Sequence, residues 1–260
     1  MKHALLFLLP VALAACATPG RYSGELSSYD GLRAKDGTVR TSVVRRSDKD
    51  RLAQVSKVSI RPARLAHGKA TAWLSPDERK TLLREVDAQL CFELTERYDL
   101  APPGTRADAD VRVVVTRVAP TGRAASALSA ASGFFIPGPL GVRVPGTTGG
   151  LGAEAEMVTR DGRQAAAVVW NRNATPIGTD DPSLSRIGDA LQFAEPFGDT
   201  VGAVMTPKDH KSRKVGDPDP CAEYGPRFRP EGWLASAATG LYIPGASKAK
   251  ADKTKDEPTS

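Results

Sequence analysis

Residues 75–99 restrict the possible folds more than any other part of the sequence, because they predict a long helix with a defined start. They read SPDERKTLLREVDAQLCFELTERYD. Ser75 is a typical N-cap residue, Pro76 suits the first helical turn, and Glu78 completes a capping box. Apolar residues then recur at helical spacing, at Leu83, Val86, Leu90 and Leu94. Such a stripe has to be covered by another layer of secondary structure.

Strand-like segments lie on both sides of this helix. Residues 55–65 (VSKVSIRPARL) alternate between apolar and polar side chains, and residues 109–120 (ADVRVVVTRVAP) are rich in valine. Both patterns are typical of strands. Further along the chain, Asp161-Gly162 separates two strand-like runs, which predicts a hairpin. Another strand is indicated within TVRTSVVRR, nearer the N-terminus.

A second helix is expected over residues 183–205, where Pro196 and Gly198 should bend or split it. Its apolar positions are Ile187, Leu191, Ala194, Val201 and Val204. The order of elements is then β-α-β, hairpin, α. This order favours an α+β fold, with a mainly antiparallel sheet of about four or five strands and two helices packed on one face.

Composition divides the remainder of the chain into segments. The chain has 260 residues, 40% hydrophobic and 25% charged, which suits one domain with attachments. We expect a leader at 1–15, a polar tether at 16–50, the domain at 51–207, an irregular extension at 208–245 and a disordered tail at 246–260. The tether is not wholly polar, so we expect four of its side chains to dock on the domain: Tyr22, Leu26, Tyr29 and Leu32.

The first sixteen residues, MKHALLFLLPVALAAC, predict export from the cytoplasm. Lys2 gives a positive start, and the apolar run that follows at 4–13 would span about 15 Å as a helix, roughly half of a bilayer core. The run is therefore a leader rather than a permanent membrane span. Leu13-Ala14-Ala15-Cys16 resembles the bacterial lipobox, in which the chain is cut between Ala15 and Cys16. A plain secretory leader with an incidental cysteine is the alternative.

Lipidation of Cys16 would fix where the protein works. In proteins with a lipobox the cysteine thiolate receives a diacylglyceryl group, and the new amino terminus is acylated, commonly with palmitate. Three acyl chains hold a protein far more firmly than one. Ala17 resembles the outer-membrane default of Gram-negative bacteria, where Asp would favour the inner membrane. We therefore expect the periplasmic face of the outer membrane, with membrane lipid as a partner through acylated Cys16.

Two cysteines, Cys91 and Cys221, remain after Cys16 is lipidated. In the oxidising periplasm they form a disulfide candidate that would tie the C-terminal extension to the domain. Closing so long a loop contributes about 4–5 kcal/mol in the chain-entropy model. Two separate buried thiols are the alternative.

One phrase occurs twice. Residues 129–138 read SAASGFFIPG and residues 236–245 read SAATGLYIPG, with seven of the ten positions identical. In one interpretation the two apolar triplets fill the core side by side. In the other they form an exposed patch that meets lipid or a membrane partner. The patch would consist of Phe134, Phe135, Ile136, Leu241, Tyr242 and Ile243.

The sequence gives little indication of catalysis, cofactors or nucleic-acid binding. The net charge is +6, but lysine and arginine are scattered and no nucleic-acid-binding motif is present. G-x-S-x-G, G-x-x-x-x-G-K-[ST] and H-E-x-x-H are all missing. His67 and His210, the histidines of the mature chain, have no second histidine at ligand spacing. We therefore expect no metal, no cofactor and no enzymatic activity.

Two pairs of acidic residues are the remaining candidates for a functional site. Glu154 and Glu156 project from one face of a predicted strand, where we expect them to be solvent-exposed neighbours rather than a catalytic pair. Asp180 and Asp181 precede the second helix, where acids favour a helix start. A pocket formed by Glu154, Glu156, Asp180 or Trp170 would instead favour a cell-envelope hydrolase or a glycan-binding protein.

Several phrases in one order resemble a known family. They are the tether YSGELSSYDGLR, the strand VSKVSIRPARL, the helix LSPDERKTLLREV, the strand DVRVVVTRV and the hairpin GGLGAEAEMVTRDGRQAAAVVW. Together they resemble the bacterial lipoprotein family labelled domain of unknown function 3313, over roughly residues 22–205. The resemblance implies an envelope lipoprotein without an established activity, and it transfers no catalytic residues. We thus expect a non-catalytic interaction or assembly module, with an envelope protein as a partner.

Overall fold

The computed structural model describes residues 21–35, 41–102, 104–122, 148–175, 183–227, the single residues 180 and 242, and the backbone of 141–142 and 177–178. Ala15 and Cys16, with the rest of the expected leader, lie outside the described residues. So do the expected tail at 246–260 and five residues of the expected patch: Phe134, Phe135, Ile136, Leu241 and Ile243.

The described residues form one large sheet and one small sheet. The strands are β1 (Arg33–Ala34), β2 (Thr41–Ser47), β3 (Lys57–Ile60), β4 (Arg64–Leu65), β5 (Asp99–Leu100), β6 (Ala109–Ala119), β7 (Gly141–Val142), β8 (Gly150–Thr159), β9 (Gln164–Asn173) and β10 (Ile177–Gly178). The large sheet runs in the order β1-β2-β9-β8-β6-β3-β5, with β4 also paired to β6. The small sheet pairs β7 with β10.

The α+β class is confirmed, but the sheet is larger than the sequence predicts. It has eight strands and is mixed, because β3 runs parallel to β5 and to β6, and β4 runs parallel to β6. A long helix lies between β3 and β6 in the chain, and such a crossover allows two strands to run parallel. Strands of only two residues carry no readable periodicity, which explains why the sequence understates the strand number.

The helices are α1 (Lys49–Leu52), α2 (Lys69–Ala72), α3 (Pro76–Thr95), α4 (Gly188–Gln192) and α5 (Ala194–Met205). The predicted start of α3 is confirmed. The N–H of Glu78 donates to the Ser75 hydroxyl at 3.2 Å, and the N–H of Ser75 donates to the Glu78 carboxylate at 2.8 Å. Leu82 is fully buried on this helix, whereas Leu83, placed on the stripe by the sequence, is only partly buried.

The second helical region is split, but not where the sequence suggests. The break falls at Phe193, between α4 and α5. Pro196 lies in the first turn of α5, where its missing N–H removes no helical hydrogen bond. Gly198 serves helix packing, since a Cβ there would lie 3.0 Å from the Cβ of Gln89 on α3.

The predicted hairpin is confirmed as β8 and β9, joined by a turn in which Gly162 has a φ of +78°. Helices α3, α4 and α5 cover one face of the sheet. Trp170 of β9 is 1% exposed on this face and meets Phe197 of α5 with ring centroids 5.6 Å apart. The main core therefore lies between the sheet and the helices, while the other face needs a different cover.

Candidate functional site

The outer face of the sheet is covered by residues 21–32, which we call the docked segment. On β8, Glu154 and Glu156 point to this face, because Ala153 and Ala155 belong to the core beneath the helices and neighbouring strand residues point to opposite faces. Both glutamates are buried, at 0% and 3% exposed. The docked segment is hydrogen-bonded to the sheet through these two carboxylates.

Glu154 is held by two residues of the docked segment. The N–H of Ser23 donates to Oε1 at 2.8 Å, and the Ser23 hydroxyl donates to Oε2 at 2.6 Å. The Tyr29 hydroxyl also donates to Oε2 at 2.6 Å. Charge-assisted hydrogen bonds of this length are among the stronger ones in proteins.

Glu156 is held in a similar way. Its Oε2 accepts from the N–H of Ser27 at 2.8 Å, from the Ser27 hydroxyl at 2.6 Å and from the Gln164 amide at 2.9 Å. Arg112 of β6 lies 3.7 Å from Oε1 and compensates the negative charge. Both buried carboxylates are therefore satisfied by specific donors, as buried charges have to be.

Tyr29 also shapes the docked segment itself. Its hydroxyl oxygen accepts from the backbone N–H groups of Gly24, Glu25 and Leu26, at 2.8, 3.0 and 3.3 Å. Burial raises the pKa of the Tyr29 phenol, and its hydrogen bond to Glu154 raises it further. The phenol therefore stays protonated and keeps its role as donor to Glu154.

Apolar contacts add to the polar ones. Leu26 is buried against Ala167 and Val169 of β9, in a cluster that also includes partly buried Tyr29, Leu32 and Val44. The sequence predicts that Leu26, Tyr29 and Leu32 dock on the domain, and this is confirmed. For Tyr22 the same prediction is wrong, because its side chain is 52% exposed and stacks on Tyr29 of the docked segment, with ring centroids 4.5 Å apart.

The expectation that Glu154 and Glu156 are solvent-exposed is wrong. Alternation along β8 gave the correct face, but it could not reveal that a segment more than a hundred residues earlier covers that face. The serine and tyrosine residues of YSGELSSYDG were the available clue. Their hydroxyl groups are the donors that two buried carboxylates require.

The four groups considered for a hydrolase or glycan site do not share one pocket. Trp170 lies beneath the helices, on the opposite face from Glu154 and Glu156. Asp180 forms an ion pair of 2.5 Å with Arg172, whose guanidinium lies over the Phe193 ring. The expected role of Asp180 at a helix start is wrong, because α4 begins only at Gly188; Asp181 lies outside the described residues.

A disulfide joins Cys91 on α3 to Cys221, with their Cα atoms 5.9 Å apart. Arg227 supports this junction from the extension. Its guanidinium donates to both carboxylate oxygens of Asp219 and to the Phe92 carbonyl. The described part of the extension is otherwise irregular, with one 3-10 turn at Ala222–Tyr224.

Tyr242 does not behave as part of an exposed patch. It is 7% exposed and belongs to the main core cluster, and its carbonyl accepts from the Ser183 hydroxyl at 3.0 Å. For this residue the patch interpretation is wrong and the core interpretation holds. The other five patch residues lie outside the described part of the chain.

We find no group of three or more His, Cys, Asp or Glu side chains arranged to hold a metal ion among the described residues. In the same part of the chain, no helix combines the length and apolar character needed to cross a bilayer.

The mixed sheet, the helices on one face and the N-terminal segment on the other define an α+β protein whose N-terminal region is part of the fold. A family model described as protein of unknown function (DUF3313) matches residues 21–201, and the chain belongs to that family. The match begins at the docked segment, so the segment is part of the family's domain. No curated protein matches the sequence.

Solved structures show weak likenesses. The PelC dodecamer from Paraburkholderia phytofirmans is similar at 10% identity and a TM-score of 0.36, over 64% of this chain and 99% of that chain. A DUF4136 family protein from Bacteroides thetaiotaomicron VPI-5482 is similar at 12% identity and a TM-score of 0.35, over 65% and 99% of the two chains.

Proposed function

We propose that this protein is a lipid-anchored lipoprotein on the periplasmic face of the outer membrane, and that it acts as a non-catalytic interaction or assembly module. The observation that carries the proposal is the docked segment. It binds the sheet through Ser23, Ser27 and Tyr29, only a few residues after the lipobox-like Cys16.

The docked segment limits how far the domain can move from its anchor. Ser23 follows Cys16 by seven positions. A fully extended chain covers at most about 3.3–3.6 Å per residue, so this connection is shorter than about 25 Å. A domain held so closely works at the membrane surface, which suits a protein that recruits or positions partners there.

The use of the acidic residues supports a non-catalytic role. Glu154 and Glu156, the best candidates for acid–base chemistry on this sheet, are covered by the docked segment and serve as hydrogen-bond acceptors for it. A catalytic pair has to reach a substrate. In this arrangement the two carboxylates do not face a substrate but hold the docked segment, which follows Cys16 in the chain, on the sheet.

The anchor is tested by replacing its cysteine. In cells fed labelled palmitate, we expect the natural chain to take up label and to fractionate with outer membranes. The Cys16→Ser variant should take up no label, keep its leader and leave the outer-membrane fraction. Ala17→Asp is the matched control, because it should retain the label while favouring the inner membrane. Outer-membrane fractionation of Cys16→Ser would overturn the proposal.

A further inference from the structure

A groove of about 560 Å³ lies beside the docked segment, on the same outer face of the sheet. Its floor includes Asp110 and Arg112 of β6, which alternate with the core residues Val111 and Val113. The loop that precedes β6 and the end of the β8–β9 hairpin form its walls. We call it the arginine groove, after the lining residues Arg61, Arg106, Arg112 and Arg160.

Positive charge exceeds negative charge in the arginine groove. Its lining includes four arginines and two carboxylates, Asp108 and Asp110. Asp108 accepts from the backbone N–H groups of Lys57 and Ser56, which hold its pKa below the ordinary value, and also from Arg160 at 3.3 Å. Asp110 pairs with Arg61 at 3.1 Å.

Two of the arginines keep donors for a ligand. Arg106 is exposed and forms no hydrogen bond or ion pair with the described residues. Arg112 is half exposed, and its one ion-pair partner among the described residues is Oε1 of Glu156, at 3.7 Å, which is too long for a hydrogen bond. A guanidinium in this state presents several N–H donors, the geometry that binds phosphate oxygens in pairs.

The arginine groove adjoins the segment that leads to the anchor. Glu156 contacts Ser27 of the docked segment on one side and Arg112 of the groove on the other. Arg64 of β4 likewise reaches Glu25 of the docked segment at 2.6 Å. The groove and the docked segment therefore share one face, and the docked segment follows Cys16 closely in the sequence.

We propose that the arginine groove binds the phosphate groups of anionic lipids in the membrane that holds the protein. The proposal rests on the proposed lipid anchor, which brings this face within reach of a bilayer surface. An open groove with half-exposed arginines suits a phosphate that remains attached to a large lipid surface. A small free anion would be bound better by an enclosed site. Anionic leaflets attract basic residues that are held within a Debye length.

The test uses the full lipidated chain in nanodiscs. Hydrogen exchange of residues 104–110 is followed in discs of phosphatidylcholine alone and in discs that also contain phosphatidylglycerol. We expect exchange to be at least threefold slower with phosphatidylglycerol. An Arg106→Ala/Arg112→Ala variant should lose this protection. Arg106→Ala alone should lose part of it, and we expect this variant to fold, because Arg106 is exposed and forms no hydrogen bond or ion pair with the described residues.

The charge-matched control is Arg33→Ala/Arg45→Ala, which removes two exposed arginines that face each other on β1 and β2. It should keep the protection. Equal exchange in both kinds of disc, or equal loss of protection in the control, would overturn the proposal. Protection by inorganic phosphate in phosphatidylcholine discs would identify a free-anion site and overturn the lipid source.

The two proposals fail in different ways. Incorporation into nanodiscs reports the anchor at Cys16, whatever the arginine groove does. A chain that does not incorporate contradicts the proposed function. A chain that incorporates but shows no effect of phosphatidylglycerol contradicts only the arginine groove.

Discussion

The Tyr29 hydroxyl donates a 2.6 Å hydrogen bond to Oε2 of Glu154, 125 positions further along the chain. This contact closes the outer face of the sheet with the segment that leads to the expected anchor. It also gives a buried carboxylate a neutral donor in place of a cation. The N-terminal region is therefore a structural layer of the domain, and its loss should affect folding as well as position.

The contact between Tyr29 and Glu154 should stabilise the fold. Tyr29→Phe removes the donor to Glu154 and the acceptor of three backbone N–H groups. Hydrogen bonds to charged groups contribute about 1.5–3 kcal/mol, so we expect the free energy of unfolding in urea to fall by about 2 kcal/mol. Chymotrypsin should also cut the docked segment sooner, after the normally buried Leu26.

Tyr22→Phe is the matched control for Tyr29→Phe. Its ring stacks on Tyr29, and its hydroxyl forms no hydrogen bond with the described residues. We expect its unfolding free energy to stay within about 0.5 kcal/mol of the natural protein. Equal effects of the two substitutions would show that the hydroxyl of Tyr29 does not hold the segment.

The disulfide should contribute strongly to stability. Cys91 and Cys221 enclose a separation of 130 residues, and removal of a native disulfide commonly costs about 2–5 kcal/mol. We expect a loss in this range for Cys91→Ala/Cys221→Ala, measured by urea unfolding under oxidising conditions. A reductant should lower the stability of the natural protein and leave the double variant unchanged. A response of the double variant would exclude this bond as the cause.

The stability should depend on pH through Asp87. Burial raises its pKa from 3.8 to about 6, partly offset by the hydrogen bond from the N–H of Ala63. The folded protein then binds more protons than the unfolded chain between these values. The contribution of Asp87 to the stability of the folded protein is therefore complete below about pH 4 and is lost as the pH rises through about 6.

Asp87→Asn tests this dependence, because its side-chain oxygen can still accept from Ala63. We expect the melting temperature of the variant to exceed that of the natural protein at pH 7.5, with a smaller difference at pH 4.5. Melting curves across this range measure it. A difference that does not change with pH would rule out Asp87 as the titrating group.

The turn between β8 and β9 should depend on its glycine. Gly162 has a φ of +78°, and a Cβ there would meet nothing within 4 Å. The effect of Gly162→Ala is therefore purely conformational, and we expect a loss of about 1 kcal/mol in unfolding free energy. Gly216→Ala, at an open position without a positive φ, should be neutral or slightly stabilising. The opposite ranking would contradict the turn geometry.

Local patterns predicted the local structure well. The start of α3 followed from Ser75 and Glu78, and the hairpin followed from Asp161-Gly162, because caps and turns depend on neighbouring residues. The break in the second helix was misplaced. Phe193 carries no helix-breaking property, whereas Pro196 is tolerated in the first turn of α5.

The docked segment was only half predicted. The apolar residues Leu26, Tyr29 and Leu32 indicated docking, but nothing in the sequence named their counterparts on β8 and β9. The pairing of Ser23 with Glu154 joins residues 131 positions apart. Such contacts depend on which strands become neighbours, and local periodicity does not contain that information.

The sequence by itself determined the α+β class, the capped helix and the hairpin turn, because each depends on residues close together in the chain. Its ordered phrases also indicated the DUF3313 family. Only the tertiary structure decided that the sheet is mixed, that Glu154 and Glu156 are buried, and that arginines gather beside the docked segment. These features depend on strand order and on which surface covers which. A charged side chain on a strand is exposed or buried according to what lies over that face of the sheet. On β8 the covering residues are the docked segment, more than a hundred positions earlier in the chain.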